Sequence, residues 1–473
     1  MEKKLVWENL LCEDRVRSSS DSSNERNGFE ADYDRIVGSS SVRRLQDKAQ
    51  VFPLQENDFT RTRLTHSLTV SSIARSMGKK IGLYLEEKPE ENFGRKQTEQ
   101  LQALLQTVGL VHDLGNPPFG HYGEAVIGNW FSKWFLEDGS AYASSLTDQQ
   151  IEEFKHYDGN VQNLRIVSKL QTMNDRYGAN FTYGTMACLI KYPWNVLDSS
   201  ASKGKYGYFE SEADLIRNIY SKTGICDHVR HPATFIMEAA DDITYIGDDI
   251  EDGAKKGYIP WEQAYRELRK KFSLTHSELF KSCDEYEQKI KSDLEPADKL
   301  AAKVRYFRNV VQGYLIQLAV DTFKKDYGNI MTGKRPAKQD LLSSDEAFVE
   351  ALKGITREYC FSCREVLALE VVGHHVISGL LDTFVPALVS TDADFSSPKS
   401  YVGKLYYLIS SNFKYIAKQN YSEDDSSIKS IKKVEDFTLH DKLRLIVDFI
   451  SGMTDSYAMG LYQELTGIKL HYH

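Results

Sequence analysis

The chain has 473 residues, of which 41% are hydrophobic and 27% charged, a composition that fits one large folded domain or several ordinary ones. It lacks an apolar run of about 18 residues, and its start, MEKKLVWENLL, lacks the apolar core of a signal peptide. We therefore expect no membrane partner and a cytoplasmic protein. With a net charge of −9, the surface as a whole does not attract nucleic acid. Any polyanionic ligand must therefore bind at a local cluster of lysines and arginines.

The predicted elements are mainly helical. Apolar residues recur with a 3.6-residue period in six segments, which are 98–111, 262–285, 296–327, 364–383, 400–418 and 440–466. Strand-like alternation is sparse, and its best candidates are TYG and KYGYF near 182–209. The sequence predicts an all-α fold with at most a short β-hairpin. Residues 1–473 are expected to form one unit, because no stretch is a convincing domain linker.

The cysteines predict no metal site. Among the six cysteines, only Cys360 and Cys363 form a CxxC pair, and no second CxxC completes a zinc site. We expect thiols of a reducing compartment.

Two histidines lie on apolar helical faces. Val70, Ile73 and Met77 follow His66 at intervals of four, seven and eleven residues, so His66 shares their inward face. In the stretch VHDLGNPPFGH, His112 follows the apolar Val108 by one turn, Asp113 is its neighbour, and the Gly-Asn-Pro-Pro turn ends the helix.

An acidic helix supplies further carboxylates. In MEAADDITYIGDDIEDG, Asp241, Tyr245 and Asp249 lie on one face, and a buried carboxylate there needs a partner. Alone, each feature has an ordinary interpretation, since an inward histidine is usually a hydrogen-bonded core residue and an acidic helix is usually solvated. Together, two imidazoles and two carboxylates suit a first-row divalent cation and leave coordination positions for water and a substrate oxygen.

These residues resemble a known family. His66, His112-Asp113 and Asp241 match the H…HD…D pattern of the HD-domain phosphohydrolases. Longer blocks resemble the bacterial deoxyguanosine triphosphate triphosphohydrolases, and these are RRLQDKAQVFPLQENDFTRTRLTHS (43–67), GLVHDLGNPPFGHYGE (109–124), DGNVQNLR (158–165), RHPATFIMEAADDITYIGDDIEDG (230–253) and SGMTDSYA (451–458). The resemblance implies an all-α HD core at about 60–255 and a C-terminal helical part at about 256–473.

The resemblance also implies roles for individual residues. The metal ligands are His66, His112, Asp113 and Asp241. His121 and Glu124, one helical turn apart, are the catalytic pair, although spacing alone also allows a capping or core pair. By the resemblance, Arg63, Asn160, Lys191, Tyr192 and Lys205 are expected at the phosphates, Gln50 and Asp249 at the 3′-hydroxyl, and Val51 at the sugar or base. From the residues themselves, Tyr245 is expected to pack under the deoxyribose, with core packing as the alternative, and Glu370 to accept hydrogen bonds from guanine.

The activity implied by the resemblance is hydrolysis of dGTP, and of other dNTPs to a lesser extent, to deoxynucleoside and tripolyphosphate through attack of a metal-bound water on the α-phosphate. Mn²⁺ or Mg²⁺ is the expected metal, although Fe²⁺, Co²⁺ and Ni²⁺ also occupy such sites. Relatives form homo-oligomers, often hexamers, and some bind single-stranded DNA. Two alternatives stay open, namely another HD-type nucleotidase or phosphodiesterase, and a nucleotide or single-stranded DNA sensor without catalysis.

Overall fold

The computed structural model of the protein describes residues 4–18, 25–50, 61–171, 177–390, 395, 397–420, 430–431 and 433–468. The α-helices of these ranges are, in chain order, α1 (Trp7–Leu10), α2 (Gly28–Val37), α3 (Ser40–Arg44), α4 (Arg63–Glu86), α5 (Arg95–Val111), α6 (Gly120–Leu136), α7 (Asp148–Lys155), α8 (Gly159–Arg165), α9 (Tyr183–Leu189), α10 (Ala213–Thr223), α11 (Pro232–Lys255), α12 (Trp261–Phe272), α13 (Ser277–Glu287), α14 (Pro296–Lys325), α15 (Tyr327–Met331), α16 (Glu346–Tyr359), α17 (Arg364–Val389), α18 (Tyr401–Leu408), α19 (Ser411–Lys418), α20 (Leu439–Ser451) and α21 (Asp455–Leu465).

Short elements complete the fold. The 3₁₀-helices are Leu45–Asp47, Pro89–Glu91, Ser140–Ser145, Ser202–Gly204, Glu210–Glu212, Ser343–Asp345 and Val434–Asp436, and a π-helical turn spans Ile166–Leu170. Two antiparallel two-residue strands, β1 (Gln419–Asn420) and β2 (Ser430–Ile431), form a minimal sheet. The protein is all-α, as the sequence predicts.

The predicted strand candidates near 182–209 are wrong. Thr182 is the N-cap of α9, and its hydroxyl accepts a hydrogen bond from the Thr185 backbone N–H at 3.2 Å, so TYG begins a helix. The KYGYF stretch at 205–209 is irregular, and Tyr206 and Phe209 anchor it in a small apolar cluster with Val161 and Trp194.

Three of the six predicted helical segments are interrupted. The period over 440–466 continues on both sides of Gly452, but α20 ends at Ser451 and α21 begins after Thr454, which caps it. The segments 262–285 and 400–418 divide in the same way into α12 with α13 and α18 with α19. The period persists because both helices of each pair turn apolar residues toward the core.

Helices α4, α5 and α11 pack against one another and form the frame of the site. The approach of α5 to α4 depends on Gly109, since a Cβ atom there would lie 2.8 Å from the Ser71 Cα. This contact brings the end of α5 beside the first turns of α4.

Buried apolar side chains from Leu5 to Leu461 form one continuous core. Helix α11 packs on α14 and α16, and α6 packs on α17, so helices from both sides of residue 255 share this core. The division into an HD core at about 60–255 and a C-terminal part at about 256–473 stays a prediction.

Helix α17 has the length and composition of a membrane span. Its most apolar window has a mean hydropathy of 1.3, and 50% of that window is buried inside the structure. The helix packs against α6, α18, α20 and α21, which is the environment of a core helix. The expectation that the protein has no membrane partner stays a prediction.

Candidate active site

Side chains from three helices converge at one point. The Nε2 atom of His66, on α4, lies 3.0 Å from Oδ1 of Asp241, on α11. The Nε2 atom of His112, which ends α5, lies 3.4 Å from the same oxygen. One ligand atom from each residue lies within 4.8 Å of the other two, so the cluster can hold a metal ion.

Hydrogen bonds orient His112 for a cation. Its Nδ1 donates to the Gly109 carbonyl at 2.8 Å, which places the lone pair on Nε2. This buried Nε2 and the buried Nδ1 of His66 have no hydrogen-bond partner within the described part of the chain. A buried imidazole nitrogen with a free lone pair, beside a carboxylate, fits a divalent cation.

Asp113 links this cluster to Arg63. Its Oδ1 lies 3.6 Å from His112 Nε2, and its Oδ2 accepts a hydrogen bond from Arg63 Nη1 at 2.6 Å. Arg63 is the first residue of α4, where the helix dipole disfavours a cation. The bond to Asp113 compensates for that position and aims the guanidinium at the site.

The electrostatics of the cluster favour bound positive charge. Burial disfavours the charged form of His112, but the carboxylates of Asp113 and Asp241 outweigh it and raise the pKa of His112 to about 9. Burial likewise opposes ionisation of Asp113, while His112 and Arg63 lower the pKa of Asp113 to about 2. The two histidines hold the pKa of Asp241 well below its ordinary value against the effect of burial.

His121 and Glu124 lie beside the cluster on α6. His121 Nδ1 is 3.4 Å from Glu124 Oε2, and the imidazole is 81% exposed while the carboxylate is 9% exposed. The Glu124 carboxylate accepts a hydrogen bond from the imidazole and raises the pKa of His121. The Gly159 backbone N–H donates to Glu124 Oε1 at 3.2 Å and fixes the carboxylate. The imidazole is therefore exposed while its carboxylate partner is fixed, an arrangement that suits proton transfer.

Asp158, which the sequence analysis did not single out, organises two predicted phosphate ligands. It is 1% exposed, and its Oδ2 accepts from Lys205 Nζ at 2.6 Å. Its Oδ1 accepts from the Asn160 backbone N–H at 2.7 Å and from Asn160 Nδ2 at 2.9 Å. Lys205 Nζ also lies 4.0 Å from Glu124. An aspartate directly before Gly-Asn is typical of a helix N-cap, and this pattern is the sequence feature that points to Asp158.

A cavity of about 230 Å³ opens beside Arg63 and His121. Gln50 and Glu370 line it, so the structure brings these two predicted substrate ligands together with Arg63 and His121. Phe361, 41% exposed, lies in the loop between α16 and α17 and presents an aromatic ring to the same cavity. Its location depends on the path of the loop that joins α16 to α17, which no local sequence pattern indicates.

Tyr245 and Asp249 follow Asp241 along the same face of α11. The Tyr245 ring lies 5.5 Å from Lys353 Nζ, which also donates to Asp242 Oδ2 at 2.9 Å. Burial, followed by Asp248 and Asp252, raises the pKa of Asp249 well above its ordinary value. A neutral Asp249 can donate a hydrogen bond as well as accept one.

Lys191 and Tyr192 lie at the end of α9 toward α11. Lys191 Nζ is 3.1 Å from Glu238 Oε1, one turn before Asp241, and 5.9 Å from the Tyr192 ring centroid.

Val51 lies outside the described residues. The structure gives the positions of the predicted site residues in the described part of the chain. Their catalytic and binding roles stay predictions.

A larger cavity of about 580 Å³ lies near the N-terminal segment. Its charged groups are engaged with one another, since Arg15 pairs with Asp32 and Lys222 with Asp14. The smaller cavity is the better candidate for an active site, because Arg63, which contacts Asp113 beside the His/His/Asp cluster, and His121 line it, whereas neither lines the larger cavity.

Comparison with protein families identifies the class. A family model of the HD domain matches residues 63–169, which include α4, α5 and the His121–Glu124 pair. A model of the phosphohydrolase-associated domain matches residues 408–464. The fold and the His/His/Asp cluster are therefore those of an HD-domain hydrolase, a class of metal-dependent phosphohydrolases.

Similar proteins cover nearly the whole chain. A deoxyguanosinetriphosphate triphosphohydrolase-like protein of Listeria innocua is 37% identical over 98% of this chain and 100% of its own. A like-named protein of Synechocystis is 31% identical, and the deoxyguanosinetriphosphate triphosphohydrolase of Klebsiella pneumoniae (strain 342) is 32% identical over 93% of this chain and 94% of its own. The chain belongs to the deoxyguanosinetriphosphate triphosphohydrolase family.

Proposed function

We propose that the protein hydrolyses dNTPs, with dGTP preferred, to the deoxynucleoside and inorganic tripolyphosphate. One observation carries the proposal. Arg63 contacts Asp113 beside the His/His/Asp cluster and also lines the cavity that His121, Gln50 and Glu370 share. Through Arg63, the cation site is thus connected to a cavity that also contains the imidazole of the His121–Glu124 pair.

The cation would be held by His66, His112, Asp113 and Asp241. When bound, such an ion supplies Lewis acidity at a phosphate oxygen and lowers the pKa of a coordinated water. The guanidinium of Arg63 neutralises the triphosphate and fixes its orientation through its fork of N–H donors. Lys191, Tyr192, Lys205 and Asn160 complete the phosphate-binding side.

His121 is the proposed proton donor of the reaction. A water oxygen bonds to the α-phosphorus and that water releases a proton to solvent, while the bond from the α-phosphorus to the 5′-oxygen breaks. Glu124 stabilises the imidazolium form of His121, which protonates the departing 5′-oxygen. The exposed imidazole is accessible to substrate, whereas the carboxylate below it is held by the Gly159 backbone N–H. A module that only bound nucleotides would not need this pair.

A second set of residues is proposed to select the sugar and the base. A deoxyribose on the Tyr245 ring leaves no room for a 2′-hydroxyl, which excludes ribonucleotides. Gln50 and Asp249 bind the 3′-hydroxyl, Val51 contacts the sugar or base, and Glu370 accepts hydrogen bonds from guanine. Gln50 lines the cavity, and its buried Oε1 has no hydrogen-bond partner among the residues that the structure describes, which supports its assignment.

The family resemblance extends the proposal. Mn²⁺ or Mg²⁺ is the proposed metal, with Fe²⁺, Co²⁺ or Ni²⁺ as substitutes. The protein is proposed to be a cytoplasmic homo-oligomer, with single-stranded DNA as a further ligand.

Removal of a metal ligand tests the proposal. We expect Asp241→Ala to lose both bound metal and dNTP hydrolysis, because one carboxylate oxygen lies near both imidazoles. Elemental analysis of the purified protein and a turnover assay measure the two effects. An Asp241→Ala protein with undiminished turnover and normal metal content would contradict the assignment. Asp242→Asn is the matched control, since Asp242 contacts Lys353 and is not in the cluster.

A further inference from the structure

The turn between α20 and α21 lies against two loops of the active site. Asp455, the first residue of α21, is 2% exposed. Its Oδ1 accepts a hydrogen bond from the Phe119 backbone N–H at 3.0 Å, and its Oδ2 accepts one from the Ala49 backbone N–H at 3.0 Å. One carboxylate therefore joins two segments that are far apart in sequence.

The two residues whose backbone N–H groups bind Asp455 lie one or two positions before residues of the proposed mechanism. Ala49 is followed by Gln50, and Phe119 by Gly120 and His121. The backbone at Phe119 is left-handed, with φ of 62°, and Gly120 follows with φ of 60°. A left-handed aromatic residue is unfavourable unless its surroundings fix it, and a charged acceptor on its N–H provides such a restraint.

The same turn sets the distance to Arg63. A Cβ atom at Gly120 would lie 2.5 Å from Arg63 Nη2, so the backbone that Asp455 restrains lies directly against the guanidinium. The Arg63 backbone N–H donates to the Lys48 carbonyl at 2.9 Å, which connects the second restrained loop to the start of α4. A shift of either loop would move Arg63 relative to His121.

Lys48 makes a second connection between the same parts. Its ammonium is buried and donates to the Asn116 carbonyl and, at 3.2 Å, to the Ser451 carbonyl. The end of α20 thus contacts the loop before His121 through Lys48, as the start of α21 does through Asp455.

We propose that Asp455 is a positioning residue of the active site, which holds the Gln50 loop and the His121 turn at their working separation. The inference rests on the proposed function, because it names the groups that Asp455 positions. It gives a role to the SGMTDSYA block, which the proposed mechanism does not use. Because Asp455 belongs to the phosphohydrolase-associated segment, that segment then helps to position the catalytic residues.

Two substitutions test the proposal. Asp455→Asn keeps the shape of the side chain but replaces one acceptor oxygen by an NH₂ group that faces a backbone N–H. Asp455→Ala removes both acceptors. We expect kcat/KM for dGTP to fall about 10²-fold in Asp455→Ala, with a lower kcat from displaced His121 and a higher KM from displaced Gln50, and to fall less in Asp455→Asn. Hydrogen exchange should become faster in peptides that contain Ala49 and Phe119.

Asp32→Asn is the matched control. Asp32 is also a buried carboxylate that accepts a backbone N–H, from Thr182 at 3.0 Å, but it lies outside the site. We expect this variant to lose thermal stability while kcat and KM stay unchanged. The proposal is overturned if Asp455→Asn and Asp455→Ala lower only the melting temperature, or if the Ala49 and Phe119 peptides exchange as before. If the unsubstituted protein hydrolyses no nucleotide, the proposed function fails, and the exchange measurement still decides the role of Asp455.

Discussion

At the residue scale, the His121–Glu124 pair combines exposure with restraint. The imidazole faces solvent, and the carboxylate lies beneath it on the same face of α6. A carboxylate that contacts an imidazole favours the imidazolium form, which is the direction of the pKa shift of His121. The pair therefore holds a proton at higher pH than an isolated histidine would.

The pH dependence of turnover tests this coupling. In the proposed reaction the imidazolium is the proton donor, so kcat falls as pH rises through the pKa of His121. We expect Glu124→Gln to lower that pKa, so that the fall in kcat begins at lower pH. His121→Ala should lower kcat by about 10²–10⁴-fold. The measurement is kcat against pH over the range in which imidazole titrates.

Glu152→Gln provides the comparison for Glu124→Gln. Glu152, on α7, has its Oε2 atom 3.4 Å from His156 Nε2 and is outside the site. Its substitution should therefore leave the dependence of kcat on pH unchanged. A Glu124→Gln profile that coincides with that of the unsubstituted protein would show that Glu124 does not control the catalytic proton.

At the element scale, the site depends on the turn between α5 and α6 and on the helix packed against it. A Cβ atom at Gly115 would lie 1.9 Å from the Gly159 carbonyl oxygen and 2.3 Å from the Asn163 N. Asn163 Nδ2 also donates to the His112 carbonyl at 3.0 Å. The start of α8 thus lies directly on the turn that joins the metal cluster to His121.

Gly115→Ala should disturb this contact. We expect the substitution to lower the free energy of unfolding by about 1–3 kcal/mol, because backbone atoms on both sides must move apart. Turnover should fall as well, since α8 carries Asn160 and supports His112. Thermal unfolding and a dNTP hydrolysis assay measure the two effects.

Gly313→Ala is the matched control. Gly313 is exposed in the middle of α14, and a Cβ atom there would meet nothing within 4 Å. Alanine should therefore raise stability by up to about 1 kcal/mol through helix propensity. Equal stability of the two variants would contradict the close packing of α8 on the turn.

The sequence predicts the helices of the site better than the turns between them. The inward faces of His66 and His112 follow from the apolar period of α4 and α5, because one helical face packs on the core. The role of Gly115 depends on α8, and the contact of Asp455 with Phe119 joins residues that are far apart in the chain. Such contacts follow from tertiary packing, for which one sequence offers no local pattern.

At the scale of the whole molecule, a buried ionic network joins the two segments that match family models. Arg165, at the end of α8, donates to Asp448 on α20 at 2.7 Å and to Glu212 at 2.9 Å. Lys169 lies 2.8 Å from Glu212. Because Arg165, Asp448 and Glu212 are buried, each of their charges depends on its partners, and removal of one leaves the others uncompensated.

The network predicts a specific pH dependence of stability. Burial opposes ionisation of Glu212, but Lys169 and Arg165 outweigh it and lower its pKa from 4.5 to about 2. The stabilisation from this carboxylate is therefore complete above pH 4.5 and is lost as the pH falls toward 2. We expect Glu212→Gln to lose about 3–5 kcal/mol of unfolding free energy at neutral pH, and this difference should shrink below pH 4.5.

Asp214→Asn serves as the control for denaturant unfolding at each pH. Asp214 pairs with Arg217 on the exposed face of α10, and surface pairs contribute about 0–1 kcal/mol. A Glu212→Gln protein as stable as Asp214→Asn at neutral pH would contradict the network as a source of stability.

The most direct test of the central claim is product analysis. The purified protein is incubated with Mn²⁺ and each dNTP and rNTP, and the products are separated by ion-exchange chromatography. We expect deoxyguanosine and intact tripolyphosphate from dGTP, less product from the other dNTPs and none from GTP. Single phosphate or pyrophosphate as the product would contradict this expectation and indicate another HD-type hydrolase, and bound nucleotide without turnover would indicate a sensor.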